Sequence, residues 1–146
     1  MNCAANSLNQ LDTLSTGHGY KMTHRVLVVD DDRDVATVVT ELLIGEGYQV
    51  TTLHDGQQAL DHLGRNSIDL IISDIRMPVM DGLTLTALVR ETGRSTPIIL
   101  MSAHEHQESA SRFVNVTFLK KPVDVDHIID AIFAALNEPP RQTDRF

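Results

Sequence analysis

Val26-Leu27-Val28-Val29-Asp30-Asp31-Asp32 sets the terms for the whole chain: an unbroken apolar run passes directly into three acids. A run with no polar alternation has no face to give to water. It reads as a strand covered on both sides, as in a parallel sheet. The acids then fall where the strand ends. Short, mainly apolar runs recur at Ile68 through Ile72 (interrupted by Asp69), Pro97 through Met101 and Val116 through Leu119 (interrupted by Thr117). Tyr48 through Leu53 alternates more and suits an edge strand.

Helical patterns fill the intervals. Val35, Val38, Val39, Leu42 and Leu43 form one stripe at helical spacing, which Gly45 or Gly47 should stop. Ala59, Leu60 and Leu63 mark a second helix after Asp55-Gly56. Leu85, Leu88 and Val89 mark a third, ended by Gly93. A short fourth is expected over Glu105 to Phe113. Ile128, Ile129, Ile132, Phe133 and Leu136 mark a fifth, with Asp124 placed to cap it. Strands alternating with helices at this spacing predict an α/β fold, (βα)5, with a doubly wound five-stranded parallel sheet. Residues 24–138 form the predicted domain, between a polar tail at 1–23 and a loose tail at 139–146. A start at Met22 would leave that domain whole.

The bulk properties narrow the field. The chain has 146 residues, room for one well-cored domain. Its net charge is −8, so it offers no broad basic face, and no direct DNA binding is expected. Cys3 is the only cysteine, which rules out an internal disulfide and a Cys-based zinc site. No apolar run approaches the roughly 20 residues of a membrane span, and no secretory signal is visible. A cytoplasmic protein without membrane partners is the expectation.

Ligands of doubly wound sheets bind beyond the carboxyl ends of the strands. Those ends are Asp30-Asp31-Asp32, Asp74, Ser102 and Lys120-Lys121, with His54 at the edge. Two carboxylates about 4 Å apart repel by roughly 4 kcal/mol at an effective dielectric near 20. A divalent cation relieves that repulsion. An all-oxygen donor set points to a hard ion, Mg²⁺ or Mn²⁺. A metal, a free carboxylate and an opposing ammonium together suit phosphoryl transfer.

The strings Val26 through Asp32, Asp69-Leu-Ile-Ile-Ser-Asp-Ile-Arg-Met-Pro-Val-Met-Asp-Gly82, Pro97-Ile-Ile-Leu-Met-Ser-Ala103 and Phe118-Leu-Lys-Lys-Pro122 resemble receiver domains of two-component response regulators. The resemblance spans about Arg25 to Leu136. It implies a flavodoxin-like strand order of 2-1-3-4-5 and a single-domain, chemotaxis-regulator-like protein. Asp74 would be the phosphoacceptor. Asp30, Asp31, Asp74 and the backbone carbonyl of Arg76 would hold Mg²⁺. Ser102 would bond the phosphoryl oxygen, Lys121 would pair with it, and Phe118 would be the aromatic switch. Arg76 and His104 would tune the phosphoryl lifetime. A sensor histidine kinase or phosphotransfer protein would be the donor. With ten residues after Leu136, the signal is expected to pass to another protein, whose identity is unknown. No turnover enzyme is implied.

Plainer readings compete at several positions. Asp32 is read as a helix N-cap. Asp30, Asp32, Asp34 and Glu41 mimic the spacing of a calcium loop, but Val35 stands where that loop needs glycine. His104-Glu105-His106 lacks the second histidine of a metalloprotease helix, because position 108 is Glu108. Lys120 alternates away from Lys121 and should be solvated. A haloacid-dehalogenase-like phosphatase needs a second Asp two residues after its nucleophile, and that position is Arg76. A phosphorylation-independent scaffold would not require the full set of strand-end residues. One departure from the family pattern is a shortened span from Ser102 to Lys121, with Asn115-Val116-Thr117 in place of a small-residue turn. The family's dimer face is therefore not carried over.

Overall fold

The structure, a computed structural model, describes residues 23–103 and 113–137. Residues 1–22, His104, nearly all of the expected fourth helix and residues 138–146 lie outside them. Among the described residues nine elements follow in order: β1 (Arg25–Val29), α1 (Arg33–Gly45), β2 (Gln49–Leu53), α2 (Gly56–Leu63), β3 (Leu70–Asp74), α3 (Gly82–Glu91), β4 (Ile98–Ser102), β5 (Val116–Lys120) and α4 (Val125–Asn137). The five strands are parallel in the order β2-β1-β3-β4-β5.

Strand alternation splits the core in two. Val26, Val28, Leu70, Ile72, Ile99 and Met101 point to one face and meet Ala36, Val39 and Leu43 of α1 and Ile128 and Ile132 of α4. Leu27, Val29, Ile71, Ile98 and Leu100 point to the other face. There they meet Ala59 and Leu63 of α2 and Leu85 and Val89 of α3. Helices on both faces explain why β1, β3 and β4 carry no polar side to water.

Short polar side chains start the helices. Asp32 accepts from the N–H groups of Asp34 and Val35, Asp55 from Gln58, and Asp81 from Thr84. Asp124 accepts from His127 N–H at 2.9 Å, as its expected capping role requires. Gly47 and Gly93 follow α1 and α3 with φ of +95° and +89°, the left-handed backbone that turns the chain out of a helix.

Three expectations need correction. Val38 sits on the predicted stripe of α1 yet is 65% exposed, because the helix turns Ala36 toward the sheet instead. Phe133 of α4 is 61% exposed, while Ile128 and Ile132 of the same stripe are buried. The Val116–Leu119 run is not fully buried: β5 is the second edge strand, and Val116, Phe118 and Leu119 are only half-buried against the two faces of the core.

Candidate functional site

Parallel strands of similar length bring their carboxyl ends to one rim. Asp30 is the first residue past β1, Asp74 ends β3, Ser102 ends β4, and Lys121 is the first residue past β5. The rim is pinned by backbone. Asp30 N–H donates to Leu53 O (3.1 Å), Ile75 N–H to Met101 O (2.9 Å) and Lys121 N–H to Ser102 O (2.7 Å). The Lys121–Pro122 peptide is cis.

The side chains converge as the sequence predicts. Asp30, Asp31 and Asp74 each offer a carboxylate oxygen, all within 4.8 Å of one another. Asp30 and Asp74 are buried and Asp31 is exposed. Lys121 Nζ lies 3.0 Å from Asp74 Oδ1 and 4.0 Å from Asp30 Oδ2. The ammonium is therefore a hydrogen-bonded partner of Asp74 and a more distant neighbour of Asp30. Ser102 is buried at the same rim. Phe118 is half-buried on β5, paired in register with Leu100, and packs on the α2–α3 face of the core. Arg76 is exposed in the β3–α3 loop, and Lys120 is exposed, as its alternation requires.

Electrostatics single out Asp30. Burial pushes its carboxyl above the usual 3.8, while the Asp32 N–H works against that shift. Asp74 and Asp31 add to it, and Lys121 opposes it. Asp30 Oδ1 accepts from Asp32 N–H at 3.0 Å, but Oδ2 is buried without a hydrogen-bond partner. A buried carboxylate oxygen with no donor, beside two further carboxylates, fits a hard divalent cation. The all-oxygen donor set suits Mg²⁺.

Three supports around Asp74 and Asp30 were not assigned roles from sequence. Ser73 Oγ donates to the Asp74 carbonyl at 2.8 Å. Gly82 lies so close to that carbonyl that a Cβ there would collide with Asp74 O. His54 Nδ1 lies 3.0 Å from the Asp30 carbonyl. The signal for Gly82 was in the quoted loop, since a glycine directly after the N-cap Asp81 is a poor helix former and needs a spatial reason. His54 carried no such signal.

Beside the rim, a groove of about 550 Å³ runs between α1 and α4. Val35, Val38, Leu42, Val123, Val125 and Ile128 line it, and it reaches Lys121 and Ala103.

Comparison with known proteins agrees with this geometry. The family profile described as the response regulator receiver domain matches residues 26–133. The transcriptional regulatory protein GlrR of Escherichia coli (strain K12) is 36% identical over 129 residues, covering 84% of this chain and 29% of that protein. The DNA-binding transcriptional regulator NtrC of Klebsiella pneumoniae is 35% identical over 118 residues, covering 79% and 25%. The chain thus spans less than a third of the length of these relatives. Among solved structures, chemotaxis response regulator CheY4 of Vibrio cholerae superposes with a TM-score of 0.73 at 29% identity, covering 79% of this chain and all of that one. TrrA of Thermotoga maritima, in complex with Mg²⁺ and BeF, gives 0.71 at 29% identity, covering 78% and 100%.

Proposed function

This chain belongs to the response regulator receiver-domain family, and on that premise we propose that Asp74 accepts a phosphoryl group from a sensor histidine kinase or phosphotransfer protein. The observation that carries the proposal is Asp74 itself. Its carboxylate sits at a strand end with an ammonium 3.0 Å away and two further carboxylates within 4.8 Å. The donor would be a phosphorylated imidazole. One Asp74 oxygen attacks phosphorus, the new O–P bond forms as the P–N bond breaks, and the imidazole leaves with the electron pair. Asp30, Asp31, Asp74 and the Arg76 carbonyl would hold Mg²⁺, which when bound supplies charge neutralisation for the transferring oxygens. The same donor set could take Mn²⁺.

Each remaining side chain has a role in this scheme. Lys121 exchanges its contact with Asp74 for one with the arriving phosphoryl oxygens. The Ser102 hydroxyl donates to another of those oxygens. Phe118 follows it inward and re-forms the protein-interaction face. Phe118 has no hydroxyl, so that movement rests on packing alone. Arg76 and His104, each two residues beyond a site residue, set how fast water reaches the acyl phosphate. The chain assists its own phosphorylation and hydrolysis and is not a turnover enzyme.

The kinase or phosphotransfer partner would dock where the α1–α4 groove opens beside Lys121, an apolar face of the kind that receives a helix. The output passes to a downstream protein by contact, in the cytoplasm. No helix among the described residues is long and apolar enough to cross a membrane.

Incubation with acetyl phosphate and Mg²⁺ followed by intact-mass measurement tests this reading. A gain of one phosphoryl group, lost in Asp74→Asn and in chelated samples, is expected. No gain in folded protein would favour a phosphorylation-independent scaffold.

A further inference from the structure

Strand β2 ends one residue too early to finish its ladder with β1. The register pairs Val29 with Leu53, and Asp30 N–H still reaches Leu53 O at 3.1 Å. Beyond that point the two chains part. Asp55 turns away to cap α2, accepting from Gln58 N–H at 2.8 Å. The Asp30 carbonyl, next in line, is left without a backbone donor from β2.

His54 fills that place with its side chain. Nδ1 lies 3.0 Å from Asp30 O. A carbonyl only accepts, so Nδ1 carries the proton and donates. The ring is held in turn from its own backbone, whose N–H donates to Gln58 Oε1 at 3.2 Å. The carbonyl it grips belongs to the peptide that joins Asp30 to Asp31. Asp30 is then fixed at three points: its N–H by Leu53, its carbonyl by His54 and its Oδ1 by Asp32 N–H. The oxygen left over is Oδ2, buried and without a hydrogen-bond partner. Asp31 leaves the same peptide into solvent.

We infer that His54 is a positioning residue for the acid pair: by fixing the Asp30–Asp31 peptide plane it sets where both carboxylates stand for a divalent cation. The inference rests on the proposed Mg²⁺ site and deepens it. Pre-arranged carboxylates bind a cation better than mobile ones, because less ordering is left to be done on binding. The function is donation from a fixed point, so it depends on the N–H and not on the ring's bulk.

Mg²⁺ titration of the unphosphorylated full chain by calorimetry tests this, with Asp31→Asn as the control for the site. His54→Leu keeps bulk and removes the donor, and a roughly three- to tenfold weaker Mg²⁺ affinity is expected. His54→Asn places an amide N–H at the same bond count from Cβ as Nδ1, and affinity within about twofold of wild type is expected. A simple loss of packing would weaken both variants alike. Thermal melts in chelator establish that each is folded. Should the leucine substitution fail to fold, His54→Gln, whose amide lies one bond further out, replaces it as the misplaced donor. Equal Mg²⁺ affinity in wild type and a folded His54→Leu overturns the inference and leaves the metal site standing. Equal weakening in the leucine and asparagine variants overturns it as well. Wild-type protein that binds no Mg²⁺, or binds it undiminished after Asp31→Asn, overturns the metal site and this inference together.

Discussion

Replacing Asp30 with Asn should stabilise the metal-free protein. Asp30 Oδ2 is buried with no hydrogen-bond partner. At an effective dielectric near 20, its attraction to Lys121 Nζ at 4.0 Å is about 4 kcal/mol. Its repulsion from a carboxylate oxygen of Asp74 at no more than 4.8 Å is about 3.5 kcal/mol or larger. The two nearly cancel, and Asp31 adds a weaker, solvent-screened repulsion. What survives is the cost of leaving an ionised, unsatisfied oxygen away from water, on the order of 1–3 kcal/mol. Asparagine keeps the acceptor for Asp32 N–H and removes the charge. A gain of about 1–2 kcal/mol, or roughly 4–8 °C in Tm, is expected in chelator. The sign with pH follows from burial holding the Asp30 carboxyl above its usual 3.8. A raised carboxyl contributes stability below 3.8 that is lost as pH rises through the folded-state value. The advantage of Asp30→Asn should therefore be full at neutral pH and shrink as the solution is acidified through that value. With Mg²⁺ at about 100 times its dissociation constant, wild type should gain about 2.7 kcal/mol. The variant should gain much less. Circular-dichroism melts in chelator and in Mg²⁺ read both effects. A variant less stable than wild type in chelator at neutral pH would mean that Asp30 Oδ2 is not a destabilising charge, and one stabilised by Mg²⁺ as much as wild type would mean that it is not a metal ligand.

Other perturbations have equally definite outcomes. Lys121→Ala removes the ammonium 3.0 Å from Asp74; phosphorylation by acetyl phosphate should slow at least tenfold while Mg²⁺ affinity measured by calorimetry rises, since a cation no longer opposes the metal. Gly82→Ala drives a Cβ into the Asp74 carbonyl and should cost about 2 kcal/mol or more in urea unfolding, with slower phosphorylation. Val79 is 85% exposed and holds a φ of +71°, a left-handed conformation that a β-branched residue resists; Val79→Gly should raise stability by about 1 kcal/mol in the same assay. The Asp124 carboxyl is held below its usual 3.8 by the His127 N–H it caps; its contribution is present above that value and lost as pH falls through the lower folded one, so Asp124→Asn should flatten the acid limb of a pH-dependent melt.

What was legible in the sequence, and what was not, follows from the physics of each signal. Apolar runs at Val26–Val29 and Leu70–Ile72 announce strands because a strand covered on both faces has no polar side to hide, and the acids beyond them mark the rim. Caps at Asp32 and Asp124 are legible because capping is local. Helical spacing names a stripe but not the roll of the helix about its axis. Ala36 of α1 is buried where the backbone comes close to the sheet, and Val38 is left exposed. Nor does the Val116–Leu119 run say whether it lies mid-sheet or at an edge, and the half-exposure of β5 goes with its place at the end of the strand order. The gathering of Asp30, Asp31, Asp74, Ser102 and Lys121 into one candidate site was legible because strand ends of one parallel sheet must share a rim. The His54 contact was not, because it spans 24 residues and depends on where β2 leaves the ladder.

In the proposed reaction the Asp74 carboxylate itself becomes the phosphorylated group. Protein incubated with acetyl phosphate and Mg²⁺, then reduced with borohydride, converts an aspartyl phosphate to homoserine, and peptide mass spectrometry locates that residue. Homoserine at position 74, absent when Mg²⁺ is chelated, is the expected result. Homoserine at another aspartate, or none in protein that has gained the mass of a phosphoryl group, would contradict it.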